Sequence, residues 1–373
     1  MRIQIVPFTP EWVSAVQAFN ARLRAANDRA LQFPESPLCR WLPRKTADDS
    51  LFREHYIALD GGDVRGGYLL KHQDFMVAGE RRSVCLFQGP MSEGVIDKRF
   101  ALVGLRLLLD ATKRNPLLAA LGIGGYEESF TKMLISAKWQ TAELPFFFRV
   151  IDVSKFLRNI THLRTTRWRR IFFDVLSATG VGGPPLKSYH WLRDRSRNAG
   201  GRLTAEVQAG FGNWSDELWN EVGSQHSLVA VRDAATLERL YPETDRRFVR
   251  IRIADGTATV GWVVVMNNQQ TAHKHFGAMR LGSIVDGLAR CGHESDLVRA
   301  ATRFLIADGA DLIVTNQAHE SWRSALDLNG YIRGPSNFLF AASVGLSREL
   351  EPFDRSVECL HLTRGDGDGP VHL

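Results

Sequence analysis

The sequence predicts an α+β protein of two tandem units, each built around a largely antiparallel sheet, and three observations carry this. A chain of 373 residues is long for one core and suits two domains of ordinary size. Apolar extended runs joined by Asp-Gly turns, as in "HYIALDGGDVRGGYLLKHQDF", alternate with stretches of helical period. A set of motifs also recurs in order. "EESFTKMLISAKW" (127–139) matches "HESWRSALDLNGY" (319–331), pairing Glu128 with Glu320, Ser129 with Ser321, Phe130 with Trp322, Leu134 with Leu326 and Trp139 with Tyr331 at a constant offset of 192 residues. The same offset pairs Phe146 with Phe338 and Phe148 with Phe340. With small shifts for loops, "ALDG" (58–61) matches "RIADG" (252–256), Gly67-Tyr68 matches Gly261-Trp262, and "RLLL" (106–109) matches "RFLI" (303–306). Several matches in one order argue for a duplication.

Taken in order, a short strand at Ile3 to Val6 precedes a helix whose Trp12, Val13, Val16, Phe19 and Leu23 share one face. The hairpin quoted above follows, then a third strand, "SVCLFQGP". In "DKRFALVGLRLLLDATKRNP" Asp97 suits an N-cap and Pro116 a stop, which predicts a helix from Phe100. The strand "LLAALG", a glycine turn at Gly122, Gly124 and Gly125, a helix to about Ala137 and a closing strand "PFFFRVID" complete the first unit. The expected domains are 1–152 and 201–350. Between them, 153–200 is a basic helical segment running into a linker rich in glycine and proline, and 351–373 is a tail whose end, "RGDGDGPVHL", reads as frayed.

Composition narrows the function. An aromatic content of 10% and a charged content of 24% describe a packed protein rather than a disordered one. A net charge of +6 favours anionic partners such as nucleic acid, a lipid surface or a phosphorylated cofactor. Cys39, Cys85, Cys291 and Cys359 form no C-x-x-C pair, which argues against a zinc site or a disulfide framework and for a reducing cytoplasm. No stretch approaches the roughly 18 apolar residues of a membrane span, and the N-terminus lacks a signal-type core.

The order of elements, the "GW" in a paired strand and "LDLNGY" at a helix end resemble the GNAT acyltransferase superfamily, whose tandem forms include the Fem-type aminoacyl transferases. The resemblance covers nearly the whole chain outside residues 153–200 and the tail. It implies two GNAT-like units, each a mixed sheet with helices on both faces, and an acyl-CoA, acetyl-CoA or a longer one, as co-substrate. In such a unit two neighbouring strands splay apart and hold the pantetheine arm, which here implicates Phe87, Gln88, Met91 and Ser92. The turn at Gly122 serves either as the mouth of that gap or only as the path from strand to helix, since it matches neither G-x-G-x-x-G nor a Walker loop. The phosphates would sit at the next helix N-terminus, on the loop from Gly89 to Arg99 with Gly94, Lys98 and Arg99. The equivalent loop in the second copy, with Arg290 and His293, is the weaker choice. Both copies lack the superfamily's Gln/Arg-x-x-Gly-x-Gly/Ala loop as it is usually written, and both place leucine, Leu134 and Leu326, where the leaving-group tyrosine would stand.

Acyl transfer to an amine needs a base and a proton donor to the thiolate. Glu93, directly or through a water, and Tyr126 are the candidates; Glu93 fits equally well as a solvated loop acid, and Glu128 and Glu320 as helix caps. The resemblance implies a small-molecule or cell-envelope-precursor amine as acceptor. Other readings stay open: a Fem-like transferase that takes its group from charged tRNA, and a non-catalytic tandem binding protein. The basic run 158–170, with Trp168, suits an anionic surface or a solvated joining helix. "HWLRD" (190–194) and Cys291 are weaker candidates for catalysis.

Overall fold

A computed structural model describes residues 3–27, 31–37, 42, 50–159, 203–271 and 278–367. The first half runs β1 (Ile3–Pro7), α1 (Val13–Ala26), β2 (Phe52–Asp60), β3 (Asp63–Val77), β4 (Glu80–Ser92), α2 (Val103–Arg114), β5 (Leu118–Leu121), α3 (Ser129–Ser136), β6 (Gln140–Glu143), β7 (Phe146–Val150) and α4 (Val153–Asn159). The second half runs β8 (Leu203–Gln208), α5 (Asn213–Val222), β9 (Leu228–Ala230), α6 (Ala234–Leu240), β10 (Val249–Asp255), β11 (Ala258–Gln269), β12 (Arg280–Ala289), α7 (Glu294–Ala307), β13 (Leu312–Asn316), α8 (Glu320–Leu328), β14 (Ile332–Gly334), β15 (Leu339–Ala342), α9 (Val344–Glu349), α10 (Phe353–Ser356) and β16 (Leu360–His361).

Two sheets result. One has the order β1-β2-β3-β4-β5-β15-β6, with β9 and β16 added beyond the end of β2; the other, read from its far edge, has the order β8-β10-β11-β12-β13-β7-β14. The orders correspond strand for strand, and in each main path one pair alone is parallel, β4 with β5 and β12 with β13. Alternation along the strands puts helices on both faces. Tyr56, Ala58, Tyr68 and Leu70 pack under α2, while Ile57, Leu59 and Leu69 pack with Val16 and Phe19 of α1. In the second sheet Ile251, Val263 and Ile284 meet α7 and α8, while Trp262, Val264 and Val285 meet α5 and α6.

The predicted closing strand is a strand, but not of its own half. β7 lies between β13 and β14 in the second sheet, and β15 lies between β5 and β6 in the first. The exchange is reciprocal, because Phe146 and Phe338 are the residues the duplication pairs. Its physical driver is burial: Phe147 packs among Val263, Ile284 and Ile313, and Phe340 packs with Leu86 and Ala119. Asp97 caps a short 3-10 turn, Lys98–Phe100, not α2, which begins three residues beyond that turn with Leu102 as its N-cap.

The C-terminal segment also departs from expectation. Residues 360–367 are packed inside, and only 368–373 lie outside the described residues. Arg232, Asp286 and Asp366 are all buried, and Arg232 binds both carboxylates at 3.0 and 2.9 Å. Burial alone would strip Arg232 of its proton, but the two carboxylates hold it charged. Lys71, also buried, donates to the carbonyl of Asp366 at 3.0 Å. Beside this network the rings of His226, His319 and His361 cluster, with centroids 4.8 to 6.2 Å apart. Among the described residues no group of three or more such side chains is placed to hold a metal ion. Burial and the neighbouring cations push all three imidazoles below their ordinary value, His226 to about 3.

Phe147→Ala should destabilise the protein by roughly 3–5 kcal/mol. The loss of hydrogen-exchange protection should appear in β12 and β13, not in β2 and β3, although Phe147 belongs to the first half. The histidine cluster predicts acid sensitivity. A histidine whose folded value is depressed stabilises fully above about 6.5 and loses that contribution as pH falls below it. Melting temperature should therefore fall from about pH 6.5 down to about pH 3, the folded value of His226, and His226→Phe should flatten that part of the profile.

Candidate functional site

The first cleft opens where β4 leaves β5. The two strands pair only at Cys85–Leu118 and Leu86–Ala119, and β4 continues to Ser92 without a partner on that side. A bulge drives the divergence: Gly67 faces Met91 and Leu69 faces Gln88, so Gly89 and Pro90 together oppose Tyr68. Gly89 takes the left-handed φ of +51° that this kink requires, and Pro90 brings no N–H to pair. Beyond the Leu86–Ala119 pair no residue of β4 is in register with β5.

The predicted site residues fall into separate roles. Phe87 is buried against Tyr68 and Phe130 and forms a wall. Gln88 is buried with its Oε1 lacking a protein partner, while Met91 and Ser92 are half-buried along the free edge. The Ser92 hydroxyl accepts from the N–H of Gly94, where a side chain would collide with the carbonyl of Phe100 at 2.6 Å. Tyr126 is 47% exposed on the loop between β5 and α3, so nothing packs its phenol away from solvent.

Glu93 is the residue whose surroundings differ most from expectation. Its carboxylate is buried and held by Arg22 at 2.8 Å and Arg65 at 3.0 Å. Burial pushes the carboxyl up, but the hydrogen bonds and charges of Arg22 and Arg65 outweigh it and hold the group below the usual carboxylate range. Both oxygens are engaged by guanidinium groups, which makes the group a weak proton acceptor.

The helix N-termini of the two clefts contrast. α2 starts with no side-chain cap and no acidic residue in its first turn, and Gly104 there has only Met133 Sδ and Ser92 Cβ within 4 Å of its open side. The exposed guanidinium of Arg99 is tied to Asp97 at 2.6 Å, whereas exposed Lys98 and Arg106 have no acidic partner among the described residues. Arg106 and Gly104 were missed from the sequence because the glycine loop was sought in its usual form. Arg99-x-x-Leu102-x-Gly104 keeps the first and last positions of that pattern, with leucine at the middle one. In α7 the first turn carries Glu294 and Asp296, and the Glu294 carboxylate already accepts from the N–H of Gly292 at 2.9 Å. Arg290 pairs with Glu221 at 2.8 Å, and His293 lies 3.3 Å from Asp296. That end repels a phosphate where the first attracts one.

The second cleft is also filled. β12 and β13 pair from Leu281–Leu312 to Ser283–Val314 and then part. Into the gap runs the C-terminal segment. Gly365 N–H donates to the carbonyl of Val285 at 3.0 Å, His361 Nε2 bonds that of Gly287 at 2.8 Å, and Ala318 N–H donates to Leu362 at 3.0 Å. Thr363 bridges to Gln317 on the β13 side. The segment then reaches the first unit, where Gly367 lies against Leu121 at the end of β5.

Other sequence candidates sit apart. Cys291 is exposed, while buried Cys85 touches His72 Nδ1 at 3.1 Å and Asn115 Nδ2 at 2.9 Å in the core below α2. Cys39, the side chains of the 158–170 run and "HWLRD" lie outside the described residues. No helix among the described residues is long and apolar enough to cross a membrane.

No protein-family description and no curated protein matches the sequence. Solved structures do match in fold. A protein of unknown function from Enterococcus faecalis V583, described as a probable N-acyltransferase, is 10% identical with a TM-score of 0.51, covering 94% of this chain and 74% of its own. A GCN5-related N-acetyltransferase from Anabaena variabilis ATCC 29413 is 9% identical with a TM-score of 0.51, covering 92% and 73%. Saccharomyces cerevisiae N-myristoyltransferase, solved with myristoyl-CoA and inhibitors, is 10% identical with a TM-score of 0.50, covering 91% and 79%. The strand order, the two splayed parallel pairs and these likenesses agree: the chain has the GNAT superfamily fold, as two tandem units that exchange a strand.

Proposed function

We propose that this chain is an acyl-CoA-dependent N-acyltransferase, acetyl-CoA being the simplest donor, that holds the acyl-CoA in its first unit and acylates an amine. One observation carries the choice of unit. The gap beside β4 is open and adjoins an uncapped, acid-free helix start, whereas the gap beside β12 holds the chain's own C-terminal segment. In this reading the pantetheine amides pair with the free edge of β4 between Phe87 and Ser92. The pyrophosphate rests on the first turn of α2, with Lys98, Arg106 and, on release from Asp97, Arg99 supplying charge. Such a chain would work where acyl-CoA is available, in the cytoplasm.

The amine nitrogen attacks the thioester carbonyl, the C–S bond breaks, and the amine proton ends on the leaving thiolate. Tyr126 is the phenol proposed to deliver a proton to that sulfur. Glu93 is reassigned from base to brace: by tying Arg22 of α1 and Arg65 of β3 to the start of the phosphate loop, it fixes where β4 ends.

Lys98→Ala with Arg106→Ala should weaken acyl-CoA binding about tenfold or more, near 1.4 kcal/mol, with little change in melting temperature. Arg290→Ala with His293→Ala should leave affinity intact. Thermal shift with acetyl-CoA, longer acyl-CoAs and tRNA reads the class directly. Stabilisation by tRNA alone would favour the aminoacyl reading, and stabilisation by none a non-catalytic protein.

Glu93→Gln separates brace from base. A brace predicts a loss of roughly 2–3 kcal/mol of stability, from charge-assisted hydrogen bonds lost and two guanidiniums left short of a partner. Because the folded value is depressed, the stabilisation is present in full above about pH 4.5 and is lost as pH falls through the lower folded value. A base predicts unchanged melting and about a hundredfold loss of turnover.

A further inference from the structure

One face of α2 is apolar where it meets water. Among the described residues, five of the twelve large apolar side chains that lie exposed fall between positions 95 and 109: Val95, Ile96, Leu102, Leu105 and Leu109. At about 100° per residue, Leu102, Leu105 and Leu109 fall within about 60° of one another and form one stripe about 10 Å long on the outside of the helix. They are 63%, 42% and 60% exposed, while Val103, Leu107, Leu108 and Ala111 face the core. The turn at Glu93–Val95 packs against the start of α2, which brings Val95, 78% exposed, to the N-terminal end of the stripe.

The duplicated helix shows that the fold does not ask for these leucines. The buried positions of α2 recur in α7 as Leu297, Ala301, Thr302 and Leu305, each 194 residues on, the offset that also relates Gly67 to Gly261. Burial thus moves the correspondence three residues from the match of "RLLL" with "RFLI". Packing agrees, since Val103 lies over Gly66 and Leu297 over Gly261. Leu102, Leu105 and Leu109 then stand where α7 has Asp296, Arg299 and Arg303, of which the first two form an ion pair at 3.3 Å. The charges beside the leucines are of one sign. Asp97 and Asp110 are already paired, with Arg99 at 2.6 Å and Arg114 at 2.7 Å. Lys98, Arg106 and Lys113 are exposed and have no acidic partner among the described residues, and the helical spacing sets Arg106 and Lys113 along one side of the stripe.

We propose that this face docks on a lipid surface bearing anionic headgroups. Val95, Leu102, Leu105 and Leu109 enter the boundary of the acyl chains, and Lys98, Arg106 and Lys113 meet the headgroup phosphates. A convex row of leucines fits a fluid apolar layer without needing a matching groove. A second copy docked through the same face would set these uncompensated cations against themselves, which opposes a symmetric dimer there. A nucleic acid would satisfy the cations and leave the leucines in water. The net charge of +6 acts in the same direction as the local cations. Lys98 and Arg106 also serve the phosphate reading above; Leu105, Leu109 and Lys113 do not, and the docking stands without that reading.

The test is co-sedimentation of the full chain, without acyl-CoA, with vesicles of phosphatidylcholine alone or of equal parts phosphatidylcholine and phosphatidylglycerol. Wild type should bind the anionic vesicles at least about tenfold more tightly than the neutral ones, and less tightly as salt rises. Leu105→Gln with Leu109→Gln should weaken that binding at least about tenfold, and Lys113→Glu about fivefold or more. Neither variant should lower the melting temperature, because the side chains replaced already face water. Val207→Gln, which replaces an exposed valine of β8 in the other unit, should bind as wild type does.

Equal binding to the two kinds of vesicle, or wild-type binding in both the leucine and the lysine variants, would overturn the proposal. So would loss of binding in Val207→Gln, which would make the attraction diffuse. Failure of wild type to sediment with either vesicle would leave a protein groove as the cover of this face. A wild-type dimer in size-exclusion chromatography that becomes a monomer in the leucine variant would assign the face to a second copy. Should the leucine variant unfold, Lys113→Glu decides alone, since it disturbs no packed atom. Acyl-CoA affinity, measured separately, bears only on the acyltransferase reading.

Discussion

The arrangement hangs on the burial of Arg232 between Asp286 and Asp366. Removing these charges from water is expensive, and the expense is met only when all three meet with their hydrogen bonds satisfied. Tyr241 donates to Asp286 at 3.0 Å, and the Thr363 N–H donates to Asp366 at 2.7 Å. Asp286 lies on β12 and Asp366 at the far end of the chain, so the pairing draws the C-terminal segment into the second sheet. The closure of the second gap follows, with a segment leading from it to Leu121 at the end of β5.

Much of the fold was legible in the sequence because duplication leaves two copies of each clue. Gly67-Tyr68 and Gly261-Trp262 mark the same sheet position, and Leu134 and Leu326 the same buried helix face. The strand exchange was not legible. The stretches at Phe146 and Phe338 are alike in local pattern, and local pattern carries no information about which sheet receives them. The tail misled for another reason: "RGDGDGP" has the composition of a solvated end, yet its aspartate and glycines are what a narrow gap between strands requires.

The candidate site was legible in outline only. Phe87 to Ser92 form the end of β4 beyond its pairing with β5. What the sequence withheld was pairing. Glu93 and Arg22 are distant in the chain, and which charges are neutralised and which are left over depends on such long-range contacts. Lys98 and Arg99 look equivalent as letters, yet among the described residues one has no acidic partner and the other is held by Asp97.

The exchanged strands also bear on how the halves could move. β5 has two neighbours, β4, which leaves it after two residue pairs, and β15, which stays with it. The firmer flank of the open gap is therefore made by the other half of the chain. Any widening of that gap displaces β15, and with it α9 and the connection back to β14 in the second sheet. The protein is built less like two hands than like two interlaced fingers, each sheet completed by a strand from the other half. A fragment holding either half alone would present an unfilled strand position, a slot that the corresponding strand of another molecule is shaped to enter.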